Sequence, residues 1–327
     1  MATNQVEVLP DLAIPDSATG GNIPQLDSTP WWRNGRFWQA TAFYLIIGFF
    51  VVNLVGMVAS VVVDSFGSQW FASWLPDGLT TKWYQYVTND HDIGSLLYNT
   101  LVVAVSTTVV ALLVGFPAAY VLARKDFRFK AVLTGLYLVP MLLPPLVYGI
   151  PLATLLLKFL HQIDLTLYQI EANLGVQQSQ PLATSLVIVV IINLVPVVPF
   201  VILILTPFIQ QIDASMESAS AMLGANRRQT FFRVLLPLVI PGLLTAGVLA
   251  IVRVVAMFEL TYLSAGPLSQ TLVVTLYGDA FAAGIRPTQA VDGMAVIYMA
   301  TSMALVGVAL IFVKPTQFVV RVKTDNK

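Results

Sequence analysis

Apolar residues run almost unbroken through six stretches of this chain, at 40–63, 100–123, 131–157, 181–206, 238–263 and 294–313. At about 1.5 Å of rise per residue each is long enough, as a helix, to cross the roughly 30 Å of hydrocarbon in a bilayer. The pattern predicts an all-α membrane protein with six transmembrane helices. Pro140, Pro144, Pro145, Pro151, Pro196 and Pro199 fall inside the third and fourth stretches. Proline survives in such helices where neighbours satisfy the carbonyls it frees, so kinked inner helices around a pathway are expected.

The polar intervals divide the rest. Residues 1–30 are rich in Pro, Gly, Ser and Thr without a basic start or an apolar core, which reads as a disordered cytoplasmic tail and not a signal peptide. Trp31, Trp32, Arg33, Arg36, Phe37 and Trp38 mix rings with positive charge, which suits a short interfacial segment over 31–39. The transmembrane domain then covers 40–313, and 314–327 is a second cytoplasmic tail. Basic residues settle the expected orientation. Arg33, Arg36, Arg124, Lys125, Arg128, Lys130, Arg227, Arg228, Arg233, Lys314, Arg321, Lys323 and Lys327 lie on the tails and alternate loops, against Lys82, Lys158 and Arg286 on the other side. That asymmetry places both termini, and the interval 210–237, in the cytoplasm.

The interval 210–237 has structure of its own. Asp213 is placed to cap a helix with its carboxylate, and Met216, Ala219, Met222 and Leu223 recur at the spacing of one helical face. Gly224 follows as a left-handed stop. Beyond it Arg227, Arg228 and Arg233 alternate with Phe231, Phe232 and Val234, which predicts a second short segment on the membrane surface until Pro237 opens the next span.

Ser218-Ala219-Ser220, Gly224, Val234 and Leu236-Pro237 stand at the spacing of the EAA loop. The chain thereby resembles permease subunits of binding-protein-dependent ABC importers. The resemblance implies the type I importer permease fold, with this loop forming the coupling helix that sits in a groove of an ATP-binding subunit. On that reading Glu217, Ser218, Ala219, Met222, Gly224 and Pro237 carry ATPase coupling. The position the family fills with Glu is Ser218 here, and Glu217 comes one residue early, a rotation of about 100° on a helix. The resemblance also implies a second permease subunit, identical or related, and an extracytoplasmic solute-binding protein. It extends to 115–127, a Gly-Phe-Pro-Ala-Ala run ending in Arg-Lys-Asp-Phe. In Gly266-Pro267, Thr271-Leu272 and 284–297 it is closest to the spermidine/putrescine-type permeases. A polyamine-like solute follows from it, with a sugar or polyol as the alternative.

Composition agrees with an integral membrane protein, and the resemblance implies the cell inner membrane. Hydrophobic residues make up 57% and charged residues 10%, far below the roughly 25% charge of soluble domains. Lys plus Arg equals Asp plus Glu at 17 each, so no basic excess points to nucleic acid. Cysteine is absent, which removes disulfides and thiolate chemistry. No Gly-x-x-x-x-Gly-Lys-Ser/Thr loop is present to cradle phosphates, so ATP hydrolysis belongs to a separate subunit and the chain is not itself an enzyme. No cofactor or metal is expected. His91 and His161 read as solvated histidines of separate outer loops.

Arg253 and Glu259 lie in or near the fifth stretch. Arg253 is about 24 Å along a helix from Pro237, where a charge requires protein or water beside it. It reads equally as a pathway contact or as a salt-bridge partner of Glu259, and Glu259, near the outer mouth, is the second pathway candidate. Asp64, Asp77, Asp90, Asp92, Asp164, Glu171, Glu259, Asp279 and Asp292 gather on the outer side, either as a field that attracts cations or as what remains once insertion excludes basic residues. Trp70, Trp74, Trp83, Tyr84 and Tyr86 read as interfacial anchors. An ion-coupled secondary transporter would want paired repeats, broken helices and midplane acids, which the sequence does not display. A membrane hydrolase would want a nucleophile and base inside the spans.

Overall fold

The computed structural model describes residues 35–68, 70, 76–175, 181–182, 185–282 and 287–311. The two tails and residues 31–34 of the interfacial segment lie outside them. The helices are α1 (Gly35–Phe66), α2 (Lys82–Asp90), α3 (Ile93–Arg124), α4 (Lys130–Leu142), α5 (Pro145–Leu174), α6 (Leu186–Gln210), α7 (Ser215–Met222), α8 (Arg227–Thr230), α9 (Leu236–Val255), α10 (Glu259–Ser264), α11 (Leu272–Phe281) and α12 (Thr288–Ile311). A π turn, Phe231–Leu235, joins α8 to α9. Six helical segments are long and apolar enough to cross a membrane: Trp38–Phe66, Ile93–Arg124, Pro145–Leu174, Leu186–Gln210, Arg227–Val255 and Thr288–Ile311.

The chain divides into two compact units, Met1–Ala59 and Ser60–Lys327. In the first, α1 is helical from Gly35 onward, so residues 35–39 continue into the span and form no separate interfacial helix. In the second, α3, α6 and α9 make the centre, with α5, α10 and α12 packed around it. Ile188, Ile192, Leu205 and Ile209 of α6 are fully buried, as are Leu235 and Leu260. Lipid tails are as apolar as leucine, so close approach of small residues has to supply much of the attraction between such helices. Gly115 of α3 shows how close: a Cβ there would lie 2.7 Å from Cγ1 of Val201 on α6. A Cβ on Gly242 of α9 would likewise lie 2.6 Å from Cδ1 of Phe208.

Two of the predicted spans differ. The stretch 131–157 is two helices, because Pro144 and Pro145 drive Leu143 and Pro144 into extended backbone (ψ 143° and 133°) and end α4. The spanning segment is α5, which runs on to Leu174 and carries Lys158, His161, Asp164 and Glu171 on a helix and not in a loop. Asp164 accepts the backbone N–H of Leu182 at 2.8 Å. The stretch 238–263 breaks after Val255, without Pro or Gly. The carbonyl of Val255 is capped instead by the hydroxyl of Tyr298 on α12, which donates to it at 3.0 Å. Broken helices are therefore part of this fold.

At the N-terminal end of α3 a smaller cluster joins α2, α11 and α12 through Val87, Leu96, Leu272 and Met294. Trp83 donates its indole N–H to the Gly67 carbonyl at 2.7 Å, and Tyr84 shares a 2.8 Å hydrogen bond with Ser65. Both aromatics expected as interfacial anchors are thus structural ties. His91 is no solvated loop residue either: its Nε2 lies 2.9 Å from Oδ2 of Asp279 and 3.5 Å from Oδ2 of Asp90. Asn99 donates to the carbonyls of Leu268 and Gln270, and Thr100 accepts the N–H of Leu272, so the segment entering α11 is held to α3.

Replacing Gly115 with leucine should lower stability by about 1–3 kcal/mol through overpacking against Val201. Thermal unfolding of the detergent-purified chain measures it, and an unchanged midpoint would contradict the α3–α6 contact described here.

Candidate coupling site

The loop between α6 and α9 is built from three local stops. Asp213 Oδ1 accepts the N–H of Ser215 at 2.8 Å from one residue before the N-cap of α7, which is Ala214 and not Asp213 as expected. The backbone and side-chain bonds from Ser215 hold the Asp213 carboxyl below its ordinary pKa. The sign follows: this contact contributes above the unfolded carboxylate pKa and is lost as pH falls through the folded one.

At its other end α7 closes in a Schellman turn. Gly224 takes φ 84°, its N–H reaches the Ala221 carbonyl at 3.0 Å, and the N–H of Ala225 reaches Ser220 at 3.1 Å. Glycine is required there because a side chain resists positive φ. Two residues on, Asn226 and Gln229 form a capping box, each side chain accepting the other's backbone N–H at 2.9 Å.

The segment beyond is no separate surface piece. Arg227–Val255 is one continuous helical run with the π turn inside it, and Pro237 sits in the first turn of α9. Proline cannot donate to the carbonyl four residues back and its ring crowds it. The turn widens before it, and Leu236 N–H reaches the carbonyl of Phe231, five residues back. Phe231 is thereby turned onto α3, its ring 5.6 Å from Phe116 and 6.4 Å from Tyr120.

These stops decide which face α7 presents. Ser220 is buried, its hydroxyl donating to the Glu217 carbonyl and sharing a 2.8 Å bond with Thr230. Glu217 also turns inward: Oε1 lies 2.9 Å from Nε of Arg124, and Oε2 accepts the Tyr120 hydroxyl at 2.8 Å. Ser218 and Ala219 face outward with Met216. Met222 is 83% and Leu223 89% exposed. The apolar face predicted from the spacing is the uncovered one. Of the six candidate residues, Glu217 thus separates from Ser218, Ala219 and Met222, while Gly224 and Pro237 shape the backbone around them. The capping box, the Ser220–Thr230 tie and the packing of Phe231 on α3 were not foreseen from sequence, although Asn-x-x-Gln was a readable cue.

Arg253 and Glu259 lie elsewhere, on either side of the break after Val255. The Arg253 guanidinium stacks 5.0 Å over the Phe200 ring. No ion pair joins it to Glu259 among the described residues, so the salt-bridge reading falls. Next to Glu259 a chain of rings runs through Phe258, Tyr277 and Phe281, with centroids 4.3 and 4.2 Å apart, and Tyr262 lies 5.3 Å from Phe258. Of the acids counted as a cation-attracting field, Asp92 caps α3 through Ser95 and Asp279 is buried against His91. Among the described residues no group of three His, Cys, Asp or Glu side chains is arranged to hold a metal ion.

Six apolar spans and a rigid loop carried between the fourth and fifth of them define a transport permease of the cell inner membrane, crossing it several times. The particular family is one step further: residues 111–316 match the binding-protein-dependent transport system inner membrane component, and the chain belongs to that family. It is 30% identical over 213 residues to a sulfoquinovosyl glycerol transport system permease protein of Agrobacterium fabrum, covering 64% of this chain and 67% of that one. It is 25% identical to a spermidine/putrescine transport system permease protein of Escherichia coli, covering 83% and 90% respectively. Against a probable molybdenum ABC transporter permease protein of Haloferax volcanii, 33% identical, the chain spans 57% of the relative's length. Among solved structures, a bacterial ABC transporter that imports alginate matches with a TM-score of 0.64 at 15% identity, covering 85% of this chain and 96% of that one. That likeness is one of fold.

Replacing Gly224 with valine should strain the turn by about 1–3 kcal/mol. Hydrogen exchange of the α7 amides should accelerate accordingly, and exchange at the wild-type rate would contradict the Schellman assignment.

Proposed function

We propose that this chain forms, with a second permease subunit, the pathway for ATP-driven uptake of a small organic solute. The observation that carries the reading is α7 itself: a helix fixed by stops at both ends, with Ser218, Ala219, Met222 and Leu223 uncovered. A patch of large apolar side chains on a loop that has its own hydrogen-bonded frame is an interaction surface. Its partner is an ATP-binding subunit whose closure moves α7 and, through it, the spans. Both termini and this loop face the cytoplasm. An extracytoplasmic solute-binding protein delivers the solute; support comes from the solved bacterial alginate transporter, which is in complex with an alginate pentasaccharide-bound periplasmic protein. A chain of this family has no need of an ion gradient, so the broken helices serve the pathway and do not favour a secondary transporter.

For the solute we retain a polyamine-like cation. The relatives' names cover a sulfonated sugar glycerol, molybdenum, trehalose and spermidine/putrescine, and do not favour one class. Support comes from Glu259, the chain neighbour of Phe258, whose ring packs on Tyr262 and Tyr277. A carboxylate next to ring faces suits an ammonium group, through charge and through cation–π attraction worth roughly 0.5–2 kcal/mol. The same rings favour a second reading, a sugar or polyol stacked on their faces.

In this naturally cysteine-free chain, Met222→Cys should react with an impermeant maleimide only from the cytoplasmic face and be protected once the ATP-binding subunits are bound. Labelling from the outer face, or unchanged labelling in the assembled complex, would remove the coupling assignment. For the solute, Glu259→Gln should cut uptake of labelled spermidine through the reconstituted complex by about tenfold, the loss of roughly 1.4 kcal/mol of charge attraction. A solute-binding protein that captures labelled sugars and ignores spermidine would replace the cation by the sugar reading.

A further inference from the structure

Glu217 precedes by one residue the position that the family's glutamate fills, so it points about 100° away from Ser218 around α7. That rotation carries it onto the last turn of α3. Arg124 is the final residue of α3, and its Nε lies 2.9 Å from Glu217 Oε1 with the two side chains only 12% and 23% exposed. Tyr120, one turn earlier, donates to the other carboxylate oxygen at 2.8 Å. Exposed ion pairs contribute little because water and salt screen them. A sheltered ion pair whose carboxylate also accepts a hydroxyl hydrogen bond holds its geometry far better.

Three residues beyond Glu217, Ser220 bonds Thr230 of α8 from the same inward side. The helix is therefore gripped by two different neighbours, α3 through Glu217 and α8 through Ser220. Phe231 reinforces the first grip by packing its ring on Phe116 and Tyr120 of α3. The chain itself connects α7 only to α6 and α9. Without the Glu217 contact α3 would receive motion of α7 second-hand.

We infer that Glu217, Arg124 and Tyr120 form a latch that joins α7 to the C-terminal end of α3, so that a push on α7 moves α3 together with α6 and α9. The inference rests on the reading of α7 as the ATPase-docking helix. Glu217 is then a positioning residue that touches no partner subunit, and Ser218 presents an uncharged hydroxyl at the position where the family presents a carboxylate. The far end of α3 holds the segment entering α11 through Asn99 and Thr100, so the latch puts α7 in mechanical contact with the opposite end of the bundle.

The test uses the complete complex of both permeases, ATP-binding subunits and solute-binding protein in vesicles, and reads uptake per ATP hydrolysed. Glu217→Gln and Arg124→Gln should each lower that ratio by about fivefold or more, the span of ordinary coupling between sites, while ATP-binding subunits still copurify. The swap Glu217→Arg with Arg124→Glu should restore most of the ratio, which a merely structural loss would not allow. Wild-type ratios in the single variants, or a swap no better than either, would overturn the latch. So would Glu217→Gln releasing the ATP-binding subunits, since that puts the carboxylate in the partner contact. If the charge variants do not accumulate, Tyr120→Phe keeps the ion pair and removes one bond: a lowered ratio supports the latch and a wild-type ratio overturns it. Met222→Glu tests the docking reading separately, because that reading fails if the ATP-binding subunits copurify with it undiminished.

Discussion

In hydrocarbon there is no water to take up a freed backbone N–H or C=O, so each helix interruption must be answered by another part of the protein. Three departures from plain helix among the described residues meet that demand, each in its own way. The carbonyl of Val255, released where α9 ends, takes the hydroxyl of Tyr298 from α12. Ahead of Pro237 the backbone widens by one residue and Leu236 finds the carbonyl of Phe231. The Leu143 N–H still reaches Val139 as α4 closes before the proline pair. Tertiary packing and backbone satisfaction are thus one problem here: α12 is held to α9 by the same bond that allows α9 to stop.

The same constraint explains which features were legible in the sequence. Hydrophobic length alone gave the number of spans and placed four of the six, since a bilayer sets a minimum that few other environments impose. Gly224 was legible because only a residue without Cβ takes its φ comfortably, and the apolar face of α7 because a period of 3.6 can be counted. The break at 256–258 was not, because nothing in Ala256-Met257-Phe258 disfavours helix; a distant tyrosine makes the stop tolerable. Pro144 and Pro145 were noted but read as a kink, although two consecutive prolines fix two extended residues and end the helix. The partners of His91 and Glu217 lie 188 and 97 residues away, beyond the reach of any local pattern.

The loop around α7 shows how a small element acquires order without a core. No large apolar side chain of α7 is buried, so its order comes from hydrogen bonds at its ends and from two polar contacts on its inner face. Burial is left free for a partner. A helix held by its own apolar face would have nothing left to offer, and one without caps would lose affinity to the cost of ordering itself on binding.

The π turn carries a further consequence, in the arithmetic of chain length. It holds one residue more than an α turn would, and every side chain before it is set by that extra residue. Deleting any one of residues 231–235 would restore regular helix yet rotate Thr230 about 100° relative to α9, away from Ser220. An inserted residue would misplace it the other way. Between Gly224 and Pro237 this lineage can therefore exchange residue types with some freedom, whereas the number of residues is fixed, and insertions or deletions should be purged there more severely than substitutions.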